Sequence, residues 1–328
     1  MDPLALAAAV VAASPPVIFA VLGETLAEKS GVINLSLDGL LLLSAMAAFA
    51  AARATENLFA GFAAAAAVGA ASGLVVAVAS LTLRQPQVAT GFVLALLCQN
   101  LAYVLGAPVA HVPGPQVGHA AIPFLRRWPA VGPVFFDQDV LVYASLAATA
   151  AVWWYLFKTA PGLALRGAGE HPAAAAARGL NVTRVRYLYT LVGGAMVGLG
   201  GAAFSLAVKP GWSRPYGIEG TGWIVLAIVI FGNWDPIRGT AGAYFFVLLQ
   251  ILGTVLQGLL PRVPTQIFAV LPFPLMILAL LLVALGNSHW IYRRLHRLPA
   301  ATRRRIVRGL RALQASPPAS LGASFEQP

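Results

Sequence analysis

Residues 23–39, GETLAEKSGVINLSLDG, place Glu24, Glu28, Lys29, Asn34 and Asp38 between two apolar runs. Helical spacing puts Glu24 and Glu28 on one face, with Lys29 next to Glu28 rather than opposite it. Ionisable groups are costly in hydrocarbon, so a set like this either lines a protein-walled cavity, where it can meet a polar solute, or sits hydrated in an interfacial loop. Gly31 and Gly39 permit backbone bends or close helix approach, which suits a broken helix lining a pathway. Asn34, Asp38, Gln99, Asn100 and Trp223, with Tyr103, lie in or beside apolar runs and offer the hydrogen-bonding groups and aromatic platform of a solute path. Each of them serves equally well as interhelical glue or as an interface anchor.

Bond-making chemistry finds no support in the sequence. The lysines are Lys29, Lys158 and Lys209, and none follows a glycine, so there is no phosphate-binding G-x-x-x-x-G-K-[ST] loop and no ATP hydrolysis by this chain alone. G-x-S-x-G, H-E-x-x-H and a membrane-protease carboxylate pair are also absent, so the chain is expected not to be an enzyme. His111, His119, His171, His289 and His296 fall in predicted loops or tails, where no metal site is expected, and no cofactor is implied. Cys98 is the single cysteine, which excludes an intrachain disulfide or a thiolate metal site.

A second segment, residues 161–187, reads PGLALRGAGEHPAAAAARGLNVTRVRY. Pro172 suits the first turn of a helix, Ala173 to Ala177 have the best helix propensity, and Gly179 can close it in the left-handed conformation. Glu170 then sits at the favourable end of the dipole and Arg178 at the other. A helix this short is marginal in water, so it is expected to dock, either on its own bundle or on a cytoplasmic partner.

The elements that must hold these groups follow from composition. Of 328 residues, 59% are hydrophobic and 10% charged, with a mean hydropathy of +0.78. Soluble domains carry about 25% charge, so most of the solvent here is lipid. Continuous apolar runs exclude a β-barrel, whose strands alternate. The expectation is an all-α membrane protein, a polytopic helical bundle of about eight to ten transmembrane helices. Apolar runs fall near 4–22, 32–52, 58–83, 88–108, 138–157, 187–208, 220–232, 239–260 and 266–286. The first is read as a retained span rather than a signal peptide, because it lacks a basic leader and a clear cleavage site. The run 220–232 and the start of 32–52 are short or interrupted, which suggests half-helices or re-entrant pieces.

The net charge of +11 is concentrated in one tail and one central segment, which is the positive-inside pattern rather than a nucleic-acid surface. Arg293, Arg294, Arg297, Arg303, Arg304, Arg305, Arg308 and Arg311 put the C-terminal tail in the cytoplasm, and Lys158, Arg166, Arg178, Arg184 and Arg186 put the 159–186 segment there too. Counting back places 23–31 and 84–87 inside, and 109–137, 209–219, 261–265 and the N-terminus outside. The pairs Asp38-Gly39 and Glu219-Gly220, followed by RQPQ at 84–87 and RVPTQ at 262–266, then lie on opposite sides. An inverted repeat produces that arrangement, and so does a chance match of short fragments.

Taken together, GETLAEKSGVINLSLDG, ALRGAGEHPAAAAARGLNVTRVRY, GGAMVGLGGAAFSLAV and GTGWIVLAIVIFGNWDPIRGTAGAYFF resemble the successive blocks of permease subunits in the branched-chain amino acid and simple-sugar class of ABC importers. The glutamate-histidine-proline form and the NWDP turn are most similar to nucleoside and simple-sugar permeases of two-permease systems. The resemblance runs from about residue 15 to 286 and implies a division into residues 1–290, the transmembrane permease domain, and 291–328, a basic cytoplasmic tail longer than the family leads one to expect. It implies that the helix at about 170–179, with Glu170, His171, Pro172, Ala175, Arg178 and Gly179, is a coupling helix that fits a groove of a separate ATP-binding-cassette ATPase. It also implies a second permease subunit in a heterodimer, an external substrate-binding lipoprotein and a multi-pass place in the bacterial inner membrane. A branched-chain amino acid permease, or a stand-alone secondary transporter, is the alternative reading of the residues.

Overall fold

The computed structural model describes residues 2–128, 131–259, 274, 277–278, 281 and 316–326. They form a helical bundle with no strand among the described residues beyond one isolated bridge, His119 to Asp139. The helices are α1 (Pro3–Ala13), α2 (Pro15–Lys29), α3 (Leu37–Thr55), α4 (Leu58–Ala77), α5 (Gln87–Gly106), α6 (Val140–Lys158), α7 (Ala160–Glu170), α8 (Pro172–Ala177), α9 (Val182–Ala203), α10 (Thr221–Phe231) and α11 (Pro236–Leu259). One π turn extends α4 through Val78–Thr82 and another extends α9 through Phe204–Val208. Six helices are long and apolar enough to cross a membrane, or seven if α1 and α2 are one bent span. The chain is a multi-pass membrane protein. The expected span 266–286, the RVPTQ half of the repeat and the arginine-rich part of the tail fall wholly or largely outside the described residues.

The run 4–22, read above as a single span, is broken. α1 and α2 meet at 47° beside Ser14. Pro15 and Pro16 follow, with no N–H to carry the hydrogen-bond ladder onward, so α1 stops and α2 starts afresh. Helix α2 then continues through Glu24 and Glu28 to Lys29, and every residue from Pro15 to Glu28 is buried. The interfacial-loop reading of Glu24 and Glu28 is therefore replaced by a helix at the centre of the bundle.

Helix α9 packs along α2 and α4 through glycines. A Cβ on Gly23 would lie 2.4 Å from the Gly193 carbonyl oxygen, one on Gly69 2.1 Å from that of Gly194, and one on Gly198 2.2 Å from that of Ala65. These seams let backbones touch with no intervening side chains, the way small residues drive packing where both solvent and helix surface are apolar. Helices α4 and α5 instead leave large apolar side chains exposed, among them Phe59, Val75, Phe92, Val93, Val104 and Leu105. In lipid such a surface is solvated by acyl chains.

The 109–137 connection joins elements at one end of the bundle. The His111 amide donates to Trp212 O at 2.9 Å, Val117 to Leu206 O at 2.7 Å, and Gln138 Nε2 to Ala8 O at 3.2 Å. At the other end lie residues 30–33, 84–87, 168–186 and 233, and the tail residues 316–326 join them there.

Candidate functional site

Between α2 and α3 the chain is not helical over 30–36, yet most of this stretch is buried, so each backbone group needs a partner. Polar side chains supply them. Gln87 Oε1 accepts the Ile33 amide at 2.8 Å, Glu24 Oε1 accepts that of Asn34 at 3.2 Å, and Asn34 Oδ1 accepts both the Ser36 amide at 3.1 Å and the Ser36 hydroxyl at 2.6 Å. Asn34 is thus fully enclosed, while its Nδ2 and the Glu24 Oε2 have no hydrogen-bond partner among the described residues. Lower on α2, Glu28 accepts the indole N–H of Trp234, from the turn that joins α10 to α11.

Asp38 lies in the first turn of α3. Its Oδ1 accepts the Gly222 amide at 3.1 Å. Gly220 is the N-cap of α10 at φ +84°, so it has no side chain to cap its own helix. The carboxylate of Asp38 does so from another helix, where the exposed N–H groups favour a negative charge. Helix α10 has 11 residues, about 16 Å at 1.5 Å per residue, too short for a ~30 Å hydrocarbon layer. The sequence expectation of a half-helix here is met. The starts of α3 and α10 therefore meet inside the bundle, and the two acid-glycine pairs, placed on opposite sides by counting spans, converge on one spot.

Close approach is built into this junction. A Cβ on Gly39 would lie 1.9 Å from Ala95 O of α5, and one on Gly222 would lie 2.2 Å from the Asp38 nitrogen. Trp223 follows Gly222, and its ring lies 6.1 Å from that of Phe92 on α5. Gln99 is half-buried and hydrogen-bonds Tyr103. Asn100 lies on the exposed face of α5 and gives its Nδ2 to Leu96 O at 2.7 Å within its own helix. The structure thus brings Asp38 and Trp223 together, sets Asn34 behind them in the 30–36 connection, ties Gln99 to the next cluster, and leaves Asn100 apart.

Of that cluster the sequence picked out Tyr103 as a path candidate and Glu219 in the repeat, but not their junction with Trp212, Arg214 and Tyr216. The connection 209–220 contains two cations, a tryptophan, a tyrosine and a glutamate, which is the signal that was available. Glu219 is its anchor: Tyr103 OH donates to Oε1 at 2.6 Å, the Tyr216 amide to Oε1 at 2.7 Å, and the Gly217 amide to Oε2 at 2.5 Å. Burial pushes the Glu219 carboxyl up, but these donors outweigh it and hold the group below its ordinary value. The Arg214 guanidinium stacks 4.3 Å over the Tyr103 ring, and Trp212 lies 4.8 Å from Tyr216. Trp212 and Tyr216 are themselves buried, so the cluster is a packed junction that holds Glu219 in place and presents the Arg214 guanidinium on its exposed side.

At the opposite end, α8 has no buried residue. Its closing turn follows from Gly179 at φ +84°, which lets Leu180 N reach Ala175 O at 3.1 Å and Gly179 N reach Ala176 O at 2.8 Å. Arg178 is the C-cap, and His171 is both the cap of α7 and the residue before Pro172. Glu170 does not open α8 as expected; it closes α7, because His171 at φ −139°, ψ 74° breaks the helix between them. Among the described residues no group of three or more His, Cys, Asp or Glu is placed to hold a metal ion.

Comparison with known proteins agrees in kind. Residues 6–280 match the family model described as branched-chain amino acid transport system / permease component. The chain is 34% identical to a putative glucose ABC transporter permease protein of Haloferax volcanii, TsgC13, over 76% of this chain and 77% of the relative. It is 32% identical to the guanosine ABC transporter permease protein NupQ of Bacillus subtilis, over 81% and 87%. To the nucleoside ABC transporter permease protein NupC of Lactococcus lactis it is 31% identical, over 82% and 89%. No solved structure matches.

Proposed function

Since this chain belongs to the branched-chain amino acid transport system / permease component family, we propose that it forms the path by which nucleosides or simple sugars enter the cell in an ATP-binding-cassette importer. The observation that carries the reading is the Asp38–Gly222 junction, where the 11-residue α10 and the longer α3 start inside the bundle beside Trp223 and near the Tyr103, Arg214 and Glu219 cluster. Broken helices that meet within a bundle are a recurrent way to build a polar solute site in apolar surroundings. Asn34, Asp38, Gln99 and Trp223 line or brace the path in this reading, and Asn100, bonded to Leu96 O on the outer face of α5, stands apart from it. The names of the relatives favour nucleosides and sugars over branched-chain amino acids.

The driving force comes from a separate ATPase, because this chain has no phosphate loop. The exposed α8, with Glu170, His171, Pro172, Ala175, Arg178 and Gly179, is the element that docks on it. ATP binding closes the ATPase pair, α8 moves with it, and the bundle reopens to the other side. An external binding lipoprotein delivers the solute, and the assembly sits in the bacterial inner membrane. The test is uptake of labelled uridine, guanosine, glucose, ribose and leucine by a strain lacking the chromosomal copy, with and without the gene restored. A nucleoside or sugar should be taken up, and vanadate should block it. Uptake that survives ATP depletion and follows the proton gradient would overturn the reading in favour of a secondary transporter.

A further inference from the structure

Residues 316–326, SPPASLGASFE, carry no basic residue and do not behave as a detached tail. They lie as an irregular strap across the end of the bundle that bears α8. Pro318 and Ser320 are buried. The deepest anchor is Arg186 of α9, which is 1% exposed and makes no ion pair with a carboxylate among the described residues. Its NH1 donates to Ala323 O at 2.8 Å, and its NH2 to Ser320 Oγ at 3.0 Å and Ala168 O at 3.3 Å. Two of these three acceptors belong to the strap, so the strap both covers the guanidinium and supplies most of its hydrogen bonds. The strap is thus bonded into the end of the bundle rather than lying loosely over it.

Its other bonds join segments that are otherwise separate. The Ala319 amide donates to Glu170 Oε2 at 3.1 Å and the Ser320 amide to Gly169 O at 2.9 Å, which grips the end of α7 where α8 begins. The Gly322 amide donates to Gly31 O at 3.1 Å, and Gly322 sits against Ile33, which grips the 30–36 connection that leads to Asn34 and Asp38. The Ser316 amide donates to Asn233 Oδ1 at 2.7 Å, one residue before Trp234 at the foot of α10. Glu326 pairs with Arg84 between α4 and α5.

We propose that residues 316–326 are a transmission strap, carrying displacement of α7 and α8 to the 30–36 connection and to the foot of α10, the two places that hold the Asp38–Gly222 junction. This rests on the reading of α8 as the ATPase-docking element. The test compares the full chain with one ending at residue 315, in proteoliposomes with its ATPase, second permease and binding protein. Truncation should leave ATPase binding and hydrolysis in place and lower uptake per folded molecule about tenfold, in the range that coupling-network changes produce. Unchanged uptake overturns the strap.

Ala319→Pro, which removes the amide that Glu170 accepts, should act in the same direction if the truncated chain fails to accumulate; wild-type uptake by that variant overturns the proposal equally. Asn233→Cys with Ser316→Cys in a Cys98→Ser background, joined by a short bismaleimide, should transport as before joining. A block on joining would mean a latch that must open, against the proposal. If the full chain shows no ATP-driven uptake, the functional reading fails, and the strap is judged on hydrogen exchange of the purified chain: amides of 30–36 must exchange faster on truncation, and unchanged exchange sinks it.

Discussion

Asp38 of α3 caps α10 by accepting the Gly222 amide at 3.1 Å across 184 positions of sequence. The pair makes the fold of the 209–220 connection and the start of α3 mutually dependent. A carboxylate there both completes a helix end and fixes the height of Trp223.

The first prediction separates those roles. Asp38→Asn keeps an acceptor for the amide but removes the charge, so folded protein should be close to wild type while uptake per folded molecule falls. Asp38→Leu strands the Gly222 amide, at a cost of about 1–3 kcal/mol, and should lower the folded amount as well. Detergent size-exclusion traces beside uptake rates give both quantities; near-normal uptake with leucine would remove Asp38 from the path.

Gly39→Ala would place its Cβ 1.9 Å from Ala95 O, whereas Gly118→Ala meets nothing within 4 Å. Prising α3 from α5 should cost about 1–3 kcal/mol, as overpacking does. The first variant is expected to melt earlier than wild type and the second to melt with it. Equal melting of the two would show that α3 and α5 do not touch there.

Glu219 gives a pH dependence with a definite sign. Its carboxyl is held below the ordinary value of 4.5 by Tyr103 and by the backbone amides of Tyr216, Glu219 and Gly217, against a burial effect that acts the other way. A depressed pKa stabilises the folded loop fully above the unfolded value, and the contribution disappears as pH falls through the folded one. The Trp212 part of the fluorescence, isolated by subtraction of Trp212→Phe, should stay constant down through pH 4.5 and change only below it. In Glu219→Gln that acid transition should be absent, and its persistence would assign it to another group.

Helix α8 was legible because Pro172, the alanine run and Gly179 are local signals, and the spans were legible because lipid demands long apolar runs. The break at Ser14 was written in Pro15-Pro16 but hidden by the hydropathy of the run around it. Contacts between distant positions were not legible: nothing local to Asp38 specifies Gly222, and nothing local to Glu28 specifies Trp234. The strap left almost no trace, since SPPASLGASFE has no periodicity and one charge, Glu326, and its order comes from Arg186, Gly31 and Glu170 elsewhere in the chain.

Coupling is tested on α8. The Ala175 amide donates to His171 O at 3.0 Å. Ala175→Pro removes that bond at a local cost of about 3 kcal/mol, and should uncouple uptake from ATP hydrolysis while the protein still inserts. Wild-type uptake by this variant would deny α8 a docking role.

Sidedness follows from single-cysteine labelling in a Cys98→Ser background. His119→Cys should react with an impermeant maleimide in intact cells, and Glu170→Cys only after permeabilisation. Labelling of position 170 from outside would invert the topology.

The glycine seams of α9 set which parts can move. Where Gly193 faces Gly23 and Gly194 faces Gly69, one backbone rests directly on another, and no layer of side chains exists to change rotamer as they shift. A slide of a single residue would drive a methyl group into a carbonyl. Helices α2, α4 and α9 are then a stator, and spin-label distances among them should be the same in every nucleotide state. Alternating exposure is left to the pieces hinged around that stator, with the 11-residue α10 as the shortest lever and Trp223 at its tip.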